Sequence, residues 1–240
     1  MIQFQFKHWE KALHCGVYLF LLSAIILLTA AVPLISPAVA TDSAPEEAML
    51  ENKPWIGDFN EMAAKRQVRV LVAFSKTFYF LDRGRQRGIS YDLLKEFEKF
   101  VNKKLKTKTL KVNVVFIPVR RDELIPGLIK GLGDIAVANL TITPERLKHV
   151  DFSNPLLTGV KELLVTGPTA PPVTTVDDLA GQEIHVRKSS SYYGSLTQLN
   201  ETLKKDGKSQ MQLIPAKETF EDEDLLEMVN AGLIPMIVMD

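Results

Sequence analysis

Asp134-Ile-Ala-Val-Ala-Asn-Leu-Thr-Ile-Thr-Pro-Glu-Arg146 is the stretch from which the fold is read. Asp134–Ala138 is a short apolar run between Gly133 and a polar turn, the pattern of a buried strand. Thr143 suits an N-cap, Pro144 the first helical position, and Arg146 then falls in the first turn. In open α/β sheets ligands bind beyond the carboxyl ends of the strands, so this turn is a candidate site.

Upstream, Arg69–Ser75 and Lys111–Ile117 are two further strands. Between them Asp92–Leu105 has Leu93, Leu94, Phe97, Phe100 and Val101 at helical spacing. Asp122–Gly131 repeats the pattern with Leu124, Ile125, Leu128 and Ile129. Strands separated by helix-length segments imply crossovers and a largely parallel sheet. Downstream, Val160–Thr166 is strand-like and leads into the Pro-rich Gly167–Pro172. A second α/β set follows: a turn at Asp177–Gly181, strands at Glu183–Arg187, Met211–Ile214 and Ile234–Met239, and helices at Tyr192–Lys205 and Glu223–Asn230. The predicted organisation is a leader over 41–67, lobe one over 68–158, a hinge strand over 159–167 and lobe two over 168–240, the second lobe incomplete at its end. An α/β chain with two lobes places its ligand in the cleft between them.

The N-terminus differs from the rest. Lys7 and Lys11 precede the apolar run Val17–Val32, and Ala38-Val39-Ala40 follows it. A basic start, an apolar core and A-x-A read as a secretory signal over 1–40, cleaved before Thr41. The alternative is a retained anchor, because the run approaches the ~20 residues of a spanning helix. N-terminal sequencing of protein from the periplasmic fraction is expected to begin at Thr41; an intact Met1 in the membrane pellet decides for the anchor.

The 240 residues carry 29 Lys+Arg against 29 Asp+Glu, which gives no electrostatic footprint for nucleic acid. Cys15 is the sole cysteine and precedes the apolar run, so neither a lipidated cysteine after it nor a disulfide is expected. His149 and His185 lack metal-ligand spacing, and no cofactor is expected. No Ser-His-Asp order, HExxH or Walker loop is present, so no catalysis by this chain is expected.

Three places carry binding chemistry. Arg146, with Asn139 and Thr141 before it, offers a planar guanidinium for a carboxylate, though an arginine here is also compatible with a solvated surface. Arg187-Lys-Ser-Ser-Ser-Tyr-Tyr193 puts Ser190 and Ser191 at a strand-to-helix turn, as hydroxyl donors or as a plain cap. Asp240 ends the last strand and suits an ammonium group. Together they complement a zwitterion.

These motifs carry a resemblance. Gly88-Ile-Ser-Tyr-Asp-Leu-Leu94, Leu132-Gly-Asp-Ile-Ala136, Leu140-Thr-Ile-Thr-Pro-Glu-Arg146 and Val150-Asp-Phe-Ser-Asn-Pro-Leu156 resemble the bacterial extracellular solute-binding proteins of family 3, over roughly 68–240. The overall texture is similar to the solute-binding-like N-terminal regions of F-type membrane-bound lytic murein transglycosylases. The resemblance implies a type 2 periplasmic binding fold that closes on its ligand about a hinge. It implies Arg146 and Thr141 on the ligand carboxylate, Ser190 and Ser191 from lobe two, and Asp240 on the amine. The ligand-stacking aromatic aligns with Lys76, which leaves Phe78 or Tyr79 to replace it. The implied partners are an amino-acid-like ligand and either an ABC permease or peptidoglycan fragments. The readings kept open are an importer-type binding protein, the regulatory module of a transglycosylase without its catalytic domain, and a sensor ectodomain.

Overall fold

The computed structural model describes residues 54–240. The expected signal over 1–40, its cleavage point and the first part of the leader lie outside the described residues. Among the described residues no helix is long and apolar enough to cross a membrane.

The chain builds two sheets. Strands β1 (Gln67–Ala73), β4 (Asn113–Val119) and β5 (Ile135–Val137) form the first, in the order β4-β1-β5, with both pairs parallel. Alternate residues of β1 point to opposite faces. Val68, Val70 and Val72 pack with Leu94 and Val101 of helix α2 (Ile89–Lys104). Leu71 and Ala73 pack on the other face with Leu124 of α3 (Leu124–Ile129). Gly133 permits this layering: a Cβ there would lie 2.5 Å from Leu71 Cγ.

The second sheet runs β6-β9-β7-β8, from β6 (Leu163–Thr166), β7 (Glu183–Val186), β8 (Gln212–Pro215) and β9 (Met236–Met239). Strand β7 pairs parallel with both β8 and β9, and β6 pairs antiparallel with β9. The expected hinge strand is therefore also an edge of the lobe-two sheet. Helix α4 (Ser191–Lys205) packs Leu196 and Leu203 on Ile184, Val186 and Met236, and α5 (Asp222–Asn230) packs Leu225 and Val229 on Ile237. This is the two-lobe α/β architecture the sequence predicts.

Two elements were not expected. The segment read as the end of a mobile leader contains helix α1 (Phe59–Lys65). Asp58 accepts from the backbone N–H groups of Asn60 and Glu61, and Glu61 accepts in return from Asp58 N. This reciprocal cap satisfies donors that a short helix otherwise leaves open. The second is a hairpin of β2 (Phe80–Asp82) and β3 (Arg85–Arg87). Arg83 at φ 48° and Gly84 at φ 76° make its two-residue turn, since left-handed backbone at both positions matches strand twist.

Arg69 and Asp134 fasten the base of lobe one. Asp134 accepts from Arg69 backbone N at 2.7 Å and from Nη2 at 2.6 Å, and the same guanidinium donates to Gly131 O and Trp55 O. In lobe two, Asp178 accepts from the backbone N–H groups of Thr174 and Thr175, which pulls its carboxyl down to about 2. Its stabilising effect is thus complete above the ordinary carboxylate value and is lost as pH falls toward the folded one. A carboxyl-carbon NMR titration is expected to give Asp178 a midpoint clearly below that of a free aspartate. A midpoint at the ordinary value would mean the turn at Val176–Leu179 is not held this way.

Candidate functional site

The C-terminal ends of the parallel strands in the two sheets meet through side chains, Arg121 with Glu221, Lys76 with Asp224 and Glu227, and Arg146 with the carbonyl of Ser189. Strand β1 leads to Lys76 and Phe78, β4 to Arg121, and β5 to Asn139, Thr141 and Arg146. From lobe two, β7 leads to Arg187 and Ser189–Ser191, β8 to Glu218 and Glu221, and β9 to Asp240.

Arg146 opens a 3-10 turn, Arg146–Lys148, in place of the expected longer helix. Its N-cap is Glu145 and not the expected Thr143, although Thr143 Oγ accepts from Arg146 N at 3.2 Å. One such turn has little dipole, so any grip on an anion rests on the guanidinium. That guanidinium donates to Thr141 O at 2.8 Å and across the cleft to Ser189 O at 3.2 Å. Among the described residues no carboxylate pairs with it. Burial, and next the neighbouring charge of Arg121, lower its pKa from the ordinary value. A half-buried cation beside a second cation is a favourable place for an added anion. Thr141 and Asn139 are exposed, and Asn139 holds a left-handed backbone at φ 47°.

In lobe two, Ser190 is the N-cap of α4. Its Oγ accepts from Tyr193 N at 3.4 Å and donates to Arg187 O at 2.9 Å. Ser191 is the first residue of the helix and is half-buried. Ser189 is already engaged: its N–H and hydroxyl donate to Glu218 at 3.2 and 2.6 Å. Asp240 is exposed and hydrogen-bonds to Tyr192, whose hydroxyl pKa is raised by burial first, then by Asp222 and Asp240.

The two aromatics separate. Tyr79 is 2% exposed and stacks on Phe116 at 5.6 Å, inside the lobe-one core. Its place in the candidate set is corrected accordingly: the bridge between Ser75 and Tyr79 turns that side chain inward. Phe78, one residue on the other side of the backbone, is half-buried with the Arg121 guanidinium 5.8 Å from its ring.

The sequence reading missed Arg121, Glu218 and Glu221. Arg121 donates through Nε and Nη2 to Glu221 at 2.8 and 2.5 Å, and through Nη1 to Ala138 O at 2.5 Å. Buried Arg187 lies 3.4 Å from Glu221 on its other side and bonds Asp222. Arg121 follows a strand end just as Arg146 does, so the same rule applied to β4 would have found it. Among the described residues no cluster of His, Cys, Asp or Glu could hold a metal ion.

Residues 69–237 match the bacterial extracellular solute-binding proteins, family 3. The chain is 29% identical over 174 residues to the membrane-bound lytic murein transglycosylase F of Desulfosudis oleivorans, covering 72% of this chain and 35% of that protein. To the protein of the same name from Pseudomonas fluorescens it is 30% identical, covering 72% and 33%. The chain therefore spans about a third of the length of these curated relatives. Among solved structures it resembles an ancestral amino acid-binding protein, a precursor of cyclohexadienyl dehydratase (TM-score 0.59, 25% identity, 75% of this chain and 73% of that one). It also resembles an ancestral arginine-binding protein bound to arginine (TM-score 0.53, 27% identity, 72% and 70%).

Proposed function

This chain belongs to the bacterial extracellular solute-binding proteins, family 3, and on that premise we propose that it binds an amino acid or an amino-acid-like ligand in its interlobe cleft. The family domain is a binding module, and the chemistry of the cleft is recognition. The observation that carries the proposal is Arg146: half-buried, at the end of β5, bonded to two carbonyl oxygens and paired with no carboxylate among the described residues. A ligand carboxylate supplies the missing countercharge through a two-pronged, charge-assisted contact. In this reading the ligand carboxylate is also met by Thr141 and Asn139 of lobe one and by Ser190 and Ser191 of lobe two, and Phe78 gives the ligand's side chain a ring to pack on. Asp240, at the end of β9, takes the ligand ammonium.

The module works outside the cytoplasm, in the periplasm, reached by the N-terminal signal or held by it as an anchor. The relatives favour one form of this function. Their shared name is that of a peptidoglycan-cleaving enzyme, and the chain matches a third of their length. A regulatory module that senses peptide-bearing peptidoglycan fragments fits that coverage; the solved neighbours, named as amino acid-binding and arginine-binding proteins, fit a module for a free amino acid, which an importer would deliver to an ABC permease. Calorimetric titration with the common amino acids and with muropeptide fragments separates them. Saturable binding by fragments and not by free amino acids selects the regulatory form; the reverse selects the importer form. Binding by neither class would remove the proposal.

A further inference from the structure

Three cations of lobe one reach across the cleft to lobe two. Arg121 meets Glu221, with side chains only 10% and 8% exposed. Lys76 meets Asp224 and Glu227, both at 2.9 Å and toward solvent. Arg146 meets the carbonyl of Ser189. These contacts join the ends of β1, β4 and β5 to the β8–α5 connection, the first turns of α5 and the turn before α4, using side chains and carbonyls of the chain alone.

Their arrangement is uneven, and the unevenness assigns the roles. Lys76 is exposed, and its pKa is raised by hydrogen bonds to Glu227 and Asp224. Exposed pairs of this kind contribute little and are screened by salt. Arg121–Glu221 is different. Glu221 lies between two guanidiniums, Arg121 of lobe one and Arg187 of lobe two, and its backbone N–H is capped by Asp224. Arg121 is fixed in turn by Ala138 O at the end of β5. Opening the cleft would leave two buried groups to be rehydrated separately, while the contact with Arg187 would stay within lobe two.

We propose that Arg121 and Glu221 form an interlobe latch that holds the two lobes closed without help from a ligand, so that the closed arrangement is the chain's resting state. A latch of this kind sets the fraction of molecules already shaped for binding, and apparent affinity scales with that fraction. It makes Arg121 and Glu221 positioning residues for the cleft. The latch is independent of which ligand the cleft accepts.

The test measures lobe separation in purified full-length protein with no ligand added. Cys15→Ser removes the native thiol, and Lys104→Cys with Lys205→Cys places spin labels on the exposed ends of α2 and α4. Pulsed dipolar spectroscopy is expected to give one dominant short distance, little changed by salt. Glu221→Gln, which keeps the shape of glutamate, and Arg121→Gln, which is shorter and uncharged, are expected to lower the closed-to-open ratio roughly tenfold or more, as for loss of a charged hydrogen bond. Lys76→Gln is expected to change it much less. A dominant long distance in the protein without the latch substitutions overturns the proposal and needs no variant that might misfold. So does an unchanged short distance in both glutamine variants with native circular dichroism.

Discussion

Asp134→Ala is expected to destabilise the protein by about 3–5 kcal/mol, because it breaks a buried, hydrogen-bonded ion pair at the base of lobe one. Asp134 is 3% exposed at its side chain and takes three donors from Arg69: the backbone N–H, Nε at 3.3 Å and Nη2. Removing the carboxylate deletes all three of these contacts, while Gly131 O and Trp55 O still accept from Arg69. Against a total stability on the order of 5–15 kcal/mol, that is a large fraction. For a chain of this size it corresponds to a fall in Tm of roughly 6–20 °C. Asp134→Asn keeps an acceptor for the Arg69 N–H and is expected to cost less. Thermal melts followed by circular dichroism measure both. A shift of a degree or less for Asp134→Ala would mean the pair is solvated and that lobe one is held by its apolar layers alone.

Arg146→Ala is expected to weaken ligand binding by roughly ten- to a hundredfold or more while leaving the melt nearly unchanged. Hydrogen bonds to charged groups contribute about 1.5–3 kcal/mol, and each 1.4 kcal/mol is a factor of ten in Kd. The guanidinium's two bonds within the chain go to carbonyls in the cleft, one in each lobe, and not to a core carboxylate, so folding does not depend on it as it does on Arg69. Arg146→Lys is expected to weaken binding too, because an ammonium cannot reproduce the planar fork. The measurement is calorimetric titration of each variant with whichever ligand saturates the unaltered protein. Equal affinity in Arg146→Ala would remove the arginine from the site. Reduced affinity with an equally reduced melting temperature would assign it a structural role instead.

These two arginines show how far a sequence can be read. Both lie beside strands whose apolar runs are plain in one dimension: Arg69 in β1, Arg146 past the end of β5. The strands themselves, their alternation with helices and hence the two-lobe α/β fold follow from local periodicity, which depends on near neighbours alone. The Ser190 cap and the Thr143–Arg146 hydrogen bond were legible for the same reason, since each bonds within three residues. The helix at Phe59–Lys65 was equally legible from the Asp58–Glu61 capping box, but it sits at the end of the polar, mixed stretch read as a leader.

What the sequence could not supply is every relation across a long separation. Whether Phe78 or Tyr79 faces the cleft turned on a backbone bridge that sends Tyr79 onto Phe116. The partner of Arg121 is Glu221, a hundred residues away, and that of Ser189 is Glu218 in another connection. Periodicity fixes which residues leave a strand end; only the closing of the two sheets fixes which of those ends meet. The sequence by itself determined the main strands and helices, the two lobes and the cations waiting at the strand ends. The tertiary structure decided which cations are already neutralised by the chain's own acids and left Arg146 as the one half-buried cleft guanidinium with no carboxylate among the described residues, because pairing of buried charges is set by distance in space and not along the chain.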